Sequence, residues 1–175
     1  LASLRVGADA VHTFTQSRYP RMHGEQLLPL PGVSPAQTEF WYPPGHGNFF
    51  SAFHASPLFA RLKAEGRTTV FVSNVDNLGA TVDTRIGELV ASGRYDFAME
   101  LTAKTPMDVK GGTLVTMAGE EGPQLLEVAQ VPAEGLDAFC AVEPFTIFNT
   151  NNVWLSFDAI ERAATLDAPI IRNVK

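Results

Sequence analysis

Thiols are almost absent from this chain: Cys140 is the only cysteine among 175 residues. A single thiol excludes an internal disulfide and a cluster of thiolate metal ligands, so a reducing compartment, the cytoplasm, is the expected location. Basic charge is scarce too. Thirteen Lys and Arg stand against nineteen Asp and Glu, a formal net charge of -6. That balance opposes a non-specific grip on a polyanionic backbone, and nucleic acid is not an expected partner. Long apolar runs are also missing. Segments such as Thr69-Val70-Phe71-Val72 are far too short to cross a bilayer, and the first residues lack the basic start and apolar stretch of a signal peptide. No His-x-x-x-His pair occurs, which argues against a zinc held by the protein. There is no internal repeat.

What is present suffices for one ordinary globular core, since 45% of the residues are hydrophobic. The chain opens on Leu1 and closes on the strand-like run Ile171-Arg172-Asn173-Val174-Lys175, so an incomplete domain is the expectation. A short strand is predicted over 10–16. From Tyr19 to Gly47 the chain is rich in Pro and Gly without a sustained period, which reads as a long excursion of the kind used for binding loops. The aromatic trio Phe40-Trp41-Tyr42 favours a packed loop there. Helical spacing follows over 48–63, with a kink or second start at Pro57. Thr68 to Ser73 is β-branched and aromatic and reads as a buried strand emptying into Asn74-Val75-Asp76-Asn77-Leu78-Gly79. A helix over 82–91 and a strand over 95–101 complete a crossover of the type that covers a parallel sheet. Residues 112–117 and 124–131 flank Gly119-Glu120-Glu121-Gly122 as in a hairpin. An apolar pattern over 146–155, broken by asparagines, leads into a last helix over 157–166. The fold class is mixed α/β.

Five places can carry chemistry. Ligands of open α/β sheets collect beyond strand carboxyl ends, so Asp76 is a candidate for a hard-cation ligand and Asn74 for a ribose or phosphate contact; an Asx turn is the alternative. His46 sits between Gly45 and Gly47, where the backbone permits close approach of a base or phosphate, against the alternative of an idle surface histidine. Lys110-Gly111-Gly112-Thr113 has the composition of a phosphate or sugar contact but lacks the complete P-loop pattern, and a solvated turn lysine is an equal reading. Asn149, Asn151 and Asn152 interrupt an apolar strand with groups that both donate and accept, matching sugar hydroxyls; alternation puts Asn149 and Asn151 on one side, and a turn or bulge is the alternative. Glu127, midway along its predicted strand, is another hydroxyl partner or a residue facing water.

Six collinear stretches then resemble one family, the UTP–glucose-1-phosphate uridylyltransferases or UDP-glucose pyrophosphorylases. They are Phe14-Thr15-Gln16-Ser17-Arg18-Tyr19-Pro20-Arg21, Trp41-Tyr42-Pro43-Pro44-Gly45-His46-Gly47, Phe71-Val72-Ser73-Asn74-Val75-Asp76-Asn77-Leu78-Gly79-Ala80-Thr81-Val82-Asp83, Asp108-Val109-Lys110-Gly111-Gly112-Thr113, Glu127-Val128-Ala129-Gln130-Val131-Pro132 and Phe148-Asn149-Thr150-Asn151-Asn152. The resemblance implies a Rossmann-like nucleotidyltransferase sheet with flanking helices. Residues 1–175 would be the central portion of that catalytic domain, without its upstream glycine-rich nucleotide loop and its downstream β-helix domain. It implies uridylyl transfer from UTP to glucose 1-phosphate with Mg²⁺, an activity of the longer parent that these residues alone would not show. Gly45, His46, Asn74 and Asp76 would meet the nucleotide, Asp76 would help hold Mg²⁺, and Gly112, Glu127, Asn149 and Asn151 would line the sugar side. Lys110 falls in the same region and, with Asp76, is a candidate catalytic group. Asn48 departs from the Asp common in the family. A binding or scaffold module of the same fold, with catalysis lost, is the competing reading.

Overall fold

The structure, a computed structural model, describes residues 7–32, 34–108, 111–167 and 171–172. They form two compact units, one from the described parts of 7–68 with 157–167, the other from those of 69–156 with 171–172.

The first unit is held by aromatic rings. The helical spacing over 48–63 resolves into α1 (Asn48–His54) and α2 (Pro57–Ala64), separated where Pro57 removes a backbone donor and takes the first turn of the second helix. The last helix of the chain, α5 (Phe157–Ala163), packs against α1. Phe53 and Phe59 meet edge-on with centroids 5.4 Å apart, and Phe59 stacks on Phe157 at 5.1 Å. Phe14 joins them at 5.2 Å from Phe53. Offset and edge-on rings add to the large area each buries. Outside the core, the Lys63 ammonium bonds Glu161 at 2.7 Å, and this contact raises its pKa.

The long excursion is largely irregular, as its composition predicts. Among its described residues the strands are β1 (Tyr19–Pro20) and β2 (Trp41–Tyr42), paired antiparallel. The aromatic trio does pack: the guanidinium of Arg18 lies over the Trp41 ring and that of Arg21 over Tyr42, each 5.1 Å from the centroid. The strand expected over 10–16 is not formed. Ala8–Ala10 make a 3-10 turn and 11–18 run without regular structure, because among the described residues no strand lies alongside to complete a ladder.

The second unit is built on β7 (Ile147–Ser156), flanked by β3 (Thr69–Val72) and β4 (Phe97–Ala103). The crossover from β3 through α3 (Thr84–Ala91) to β4 is present, and β3 and β4 run in the same direction. They do not pair with one another: β7 lies between them, antiparallel to both. Spacing along the chain could not show this, since β7 enters from some fifty residues downstream of β4. α3 packs on the sheet, where Gly87 admits the Trp154 ring; a Cβ there would lie 3.2 Å from it. Trp154 and Leu155 are consecutive and both buried, so this strand is covered on both faces. β3 is only half-buried, less than its composition predicts, and no second strand pairs with it among the described residues.

The predicted hairpin forms from β5 (Thr113–Val115) and β6 (Gln124–Leu126). It docks on β7: the Thr113 hydroxyl donates to the Ile147 carbonyl at 2.7 Å, and the Asn149 N–H donates to the Gly112 carbonyl at 2.8 Å. Below it, the buried Lys104 ammonium donates to the Phe139 carbonyl at 2.7 Å in α4 (Leu136–Cys140). Among the described residues no helix is long and apolar enough to cross a membrane.

Candidate functional site

Because β3 and β4 point the same way, their carboxyl ends share one edge of the sheet, and the polar half of β7 lies there. β3 stops at Val72, opposite Val153, so Asn149–Asn152 extend beyond it. The β4–β7 register shifts between Met99, paired with Val153, and Leu101, paired with Asn149. Glu100 therefore faces the three residues Thr150, Asn151 and Asn152. This is a bulge, made possible by Asn151 in the left-handed region at φ 59°.

The bulge changes how the asparagines meet. Alternation alone was expected to put Asn149 and Asn151 on one side; a reciprocal side-chain contact does it instead. The Asn149 Oδ1 accepts the Asn151 N–H at 2.9 Å, and its Nδ2 donates to the Asn151 Oδ1 at 3.0 Å. Asn149 is buried, and its Nδ2 also lies 3.5 Å from the Glu127 Oε1. Gly112 completes the group, since a Cβ added there would collide with the Glu127 carboxylate and stand 3.0 Å from Leu125 Cδ1. The four residues assigned to the sugar side thus come together.

Glu127 requires a correction. It is not midway along a strand: β6 ends at Leu126, and Glu127 caps the 3-10 turn Val128–Gln130. Its side chain accepts the Gln130 backbone N–H, while the Gln130 Oε1 accepts the Glu127 N–H at 2.9 Å. A capping box ordinarily opens on Ser or Thr, so Glu at that position gives no signal in the sequence.

The loop after β3 lies at the same edge. Asn74 is half-buried and Asp76 exposed, with no salt bridge to Asp76 among the described residues. The Asx turn weighed for this loop is also present, made by Asn77, whose Oδ1 accepts the Gly79 N–H at 3.2 Å. Asn152, expected with the other asparagines to suit sugar hydroxyls, and Glu100, to which no role was given, hold the loop to the strand. Asn152 Oδ1 accepts from the Ser73 hydroxyl at 2.7 Å and from Asn77 Nδ2 at 3.2 Å, and Asn152 Nδ2 donates to Glu100 Oε2 at 3.4 Å. Glu100 was recoverable by the argument applied to the asparagines, as a polar interruption of the apolar run Phe97–Leu101.

Gly45 and His46 belong to the first unit. Gly45 takes φ 100°, open to glycine, and its carbonyl accepts from Gln16 Nε2 at 2.6 Å; the exposed His46 lies in the turn that leads into α1. Asn48 has a positive task there: its Oδ1 accepts the Ser17 N–H at 2.9 Å and its Nδ2 donates to the Ser51 hydroxyl at 3.1 Å. Lys110 lies outside the described residues. No three His, Cys, Asp or Glu side chains among the described residues are grouped to hold a metal by themselves.

The chain is a mixed α/β protein with amides and carboxylates gathered at the carboxyl edge of its sheet, the place where ligands of open α/β sheets collect. Comparison with known proteins then makes the assignment particular. Residues 4–175 match the sequence model of the UTP–glucose-1-phosphate uridylyltransferases, and the chain belongs to that family. It is 46% identical to the enzyme of that name from Saccharomyces cerevisiae over 94% of its own length, and equally to that from Solanum tuberosum. It spans about a third of the length of these relatives. Among solved structures, a UDP-glucose phosphorylase from Trypanosoma brucei aligns with a TM-score of 0.78 at 32% identity, covering 90% of this chain and 36% of that one. A mutant UDP-glucose pyrophosphorylase from Leishmania major, solved in complex with UDP-glucose, aligns with a TM-score of 0.72 at 34% identity, covering 90% and 36%.

Proposed function

We propose that this chain supplies the central portion of a nucleotidyltransferase catalytic domain that makes UDP-glucose and pyrophosphate from UTP and glucose 1-phosphate. The observation that carries the reading is the cluster of Gly112, Glu127, Asn149 and Asn151 at one sheet edge, in a chain whose relatives bear that enzyme's name. Amides offer donors and acceptors side by side and Glu127 adds an acceptor, the mixed set that vicinal hydroxyls need. Gly112 leaves the space that the Glu127 carboxylate fills beside Asn149.

In the reaction proposed, a phosphate oxygen of glucose 1-phosphate attacks the α-phosphorus of UTP and the bond to pyrophosphate breaks. The nucleophile is already an anion, so no strong protein base is required; alignment and charge neutralisation carry the rate. Gly45, His46 and Asn74 are assigned to the nucleotide, and Lys110 to the phosphates. Asp76 fits a magnesium site of the kind that uses one carboxylate together with phosphate oxygens and water, because its carboxylate is exposed and outside any salt bridge among the described residues. Bound there, Mg²⁺ would offset repulsion between the two anions. The cytoplasm is the proposed location, supported by the single cysteine.

The test is release of pyrophosphate from UTP and glucose 1-phosphate by the full-length protein. Turnover is expected to need a divalent cation and to fall at least about a hundredfold in Asp76→Ala, the scale of losing one charge-stabilising group. Absence of turnover in the unaltered protein, with UTP still bound, would favour a binding module of the same fold.

A further inference from the structure

Glu100 and Asn152 have no place in the transfer just described, yet they sit at the centre of the polar network beside it. Asn152 is 4% exposed, and its side-chain amide bonds three polar partners on two segments, Ser73 and Asn77 in the loop after β3 and Glu100 in β4. Which way its amide faces decides what those partners can do.

The direction can be deduced. An indole N–H only donates, and Trp154 Nε1 lies 2.6 Å from Glu100 Oε1. An ionised carboxylate only accepts, so the group that Asn152 turns to Glu100 Oε2 at 3.4 Å is its NH₂. Its Oδ1 then faces Ser73 and Asn77 and must accept from both. Asn77, having spent its NH₂ on Asn152, can offer only its Oδ1 to the backbone of its own turn, where the Gly79 N–H donates at 3.2 Å. Every bond runs one way: Gly79 to Asn77, Asn77 to Asn152, Asn152 to Glu100, with Trp154 closing on the same carboxylate.

We propose that Glu100 is a positioning residue for this enzyme's nucleotide and metal loop: as the acceptor-only end of the chain it orients the amides of Asn152 and Asn77, and so sets the turn Asn74–Gly79 that carries Asn74 and Asp76. The proposal rests on the uridylyltransferase reading only for what the loop binds. Glu100 itself touches no substrate. The regular register running from Phe97↔Leu155 to Met99↔Val153 puts Asn152 next in line opposite Glu100, and the bulge follows, bringing Asn149 opposite Leu101.

The isosteric change Glu100→Gln separates direction from packing. Glutamine has one acceptor, which Trp154 occupies, so its NH₂ would meet the Asn152 NH₂ and force the amide to turn. Asn152 would then present a donor to Asn77's donor, and the conflict would pass to the Gly79 N–H. Two measurements on the full-length protein decide the matter. Hydrogen exchange at the Gly79 amide is expected to speed up at least tenfold in Glu100→Gln, with the β7 amides of Val153 and Leu155 unchanged. Calorimetric titration with UTP and Mn²⁺ is expected to give an affinity lowered about tenfold, while the KM for glucose 1-phosphate stays within twofold. Asn77→Asp, a change at the loop rather than in the sheet, puts a carboxylate oxygen against the Asn152 Oδ1 and is expected to reproduce both effects. Unchanged Gly79 exchange in Glu100→Gln, or in Asn77→Asp should the first variant fail to fold, overturns the proposal. If the unaltered protein binds no uridine nucleotide, the uridylyltransferase reading fails, and the exchange arm still decides whether Glu100 orients the turn.

Discussion

At Gly112 the side chain that is missing matters more than any that is present. The residue is buried, its carbonyl accepts from Asn149, and the space a Cβ would fill already belongs to the Glu127 carboxylate. Gly112→Ala must therefore push Glu127 away from Asn149 or lose the contact with β7. The expected outcome in steady-state kinetics of the full-length protein is a KM for glucose 1-phosphate raised at least about tenfold, equivalent to about 1.4 kcal/mol, with the KM for UTP little changed. An equal rise in both would place Gly112 outside the sugar side. The neighbouring Asn149 was visible in the sequence as a polar break in an apolar strand. Its partner Glu127 was visible only as an acidic residue, because its capping role depends on where β6 ends. Asn152 and Asn149 look alike on paper, yet one is turned to Glu100 and the other to Glu127, and which carboxylate each meets depends on strands far away in the chain.

Among elements, α3 shows how local chemistry starts a helix and ties it to pH. Asp83 is its N-cap: the carboxylate accepts the Arg85 N–H at 2.9 Å and pairs with the Arg85 guanidinium at 2.6 Å. The Arg85 side-chain bonds, then its backbone N–H, lower the Asp83 pKa to about 2. Asp108 is lowered in the same direction by the Thr105 hydroxyl and N–H. A carboxylate held below its unfolded value stabilises the native state above the ordinary carboxylate range and loses that contribution as pH falls through the folded pKa. Stability measured by urea unfolding is therefore expected to decline as pH drops from about 4 toward 2, and Asp83→Asn, which can still cap, to decline less steeply. A parallel slope in the variant would show that the group does not contribute. The helix was legible from its apolar spacing over 82–91, but its cap at Asp83 was not singled out. The 10–16 strand was misread because a β segment needs a partner, and alternation cannot supply one.

Taken whole, the molecule has two cores of different make. In the first unit Phe53, Phe59 and Phe157 fill the space between three short helices, none of which would persist alone at seven or eight residues. Phe59→Ala is expected to cost about 3–5 kcal/mol in denaturant unfolding, whereas Val75→Ala, at a side chain 99% exposed, should stay within about 0.5 kcal/mol. A small effect at Phe59 would mean that the ring cluster is not the core. Val75 and Leu78 are almost fully exposed on the same loop as Asp76, so what keeps that loop in shape is its polar face toward β7, not apolar burial.

By itself the sequence determined what short-range chemistry can determine: where Pro57 parts two helices, where apolar spacing places a third, where Gly119 and Gly122 turn a hairpin, and which residue types were available for a polar ligand. Its six collinear motifs also determined the family. Tertiary structure alone decided that β7 enters between β3 and β4, that Glu127 ends a strand instead of lying within it, and that Glu100 faces Asn152. The physical reason is distance along the chain. A cap or turn is satisfied by groups two to four residues away, while the β4 partners of β7 are more than forty residues away and Glu100 is 52 from Asn152, and only the packed sheet brings them within bonding range.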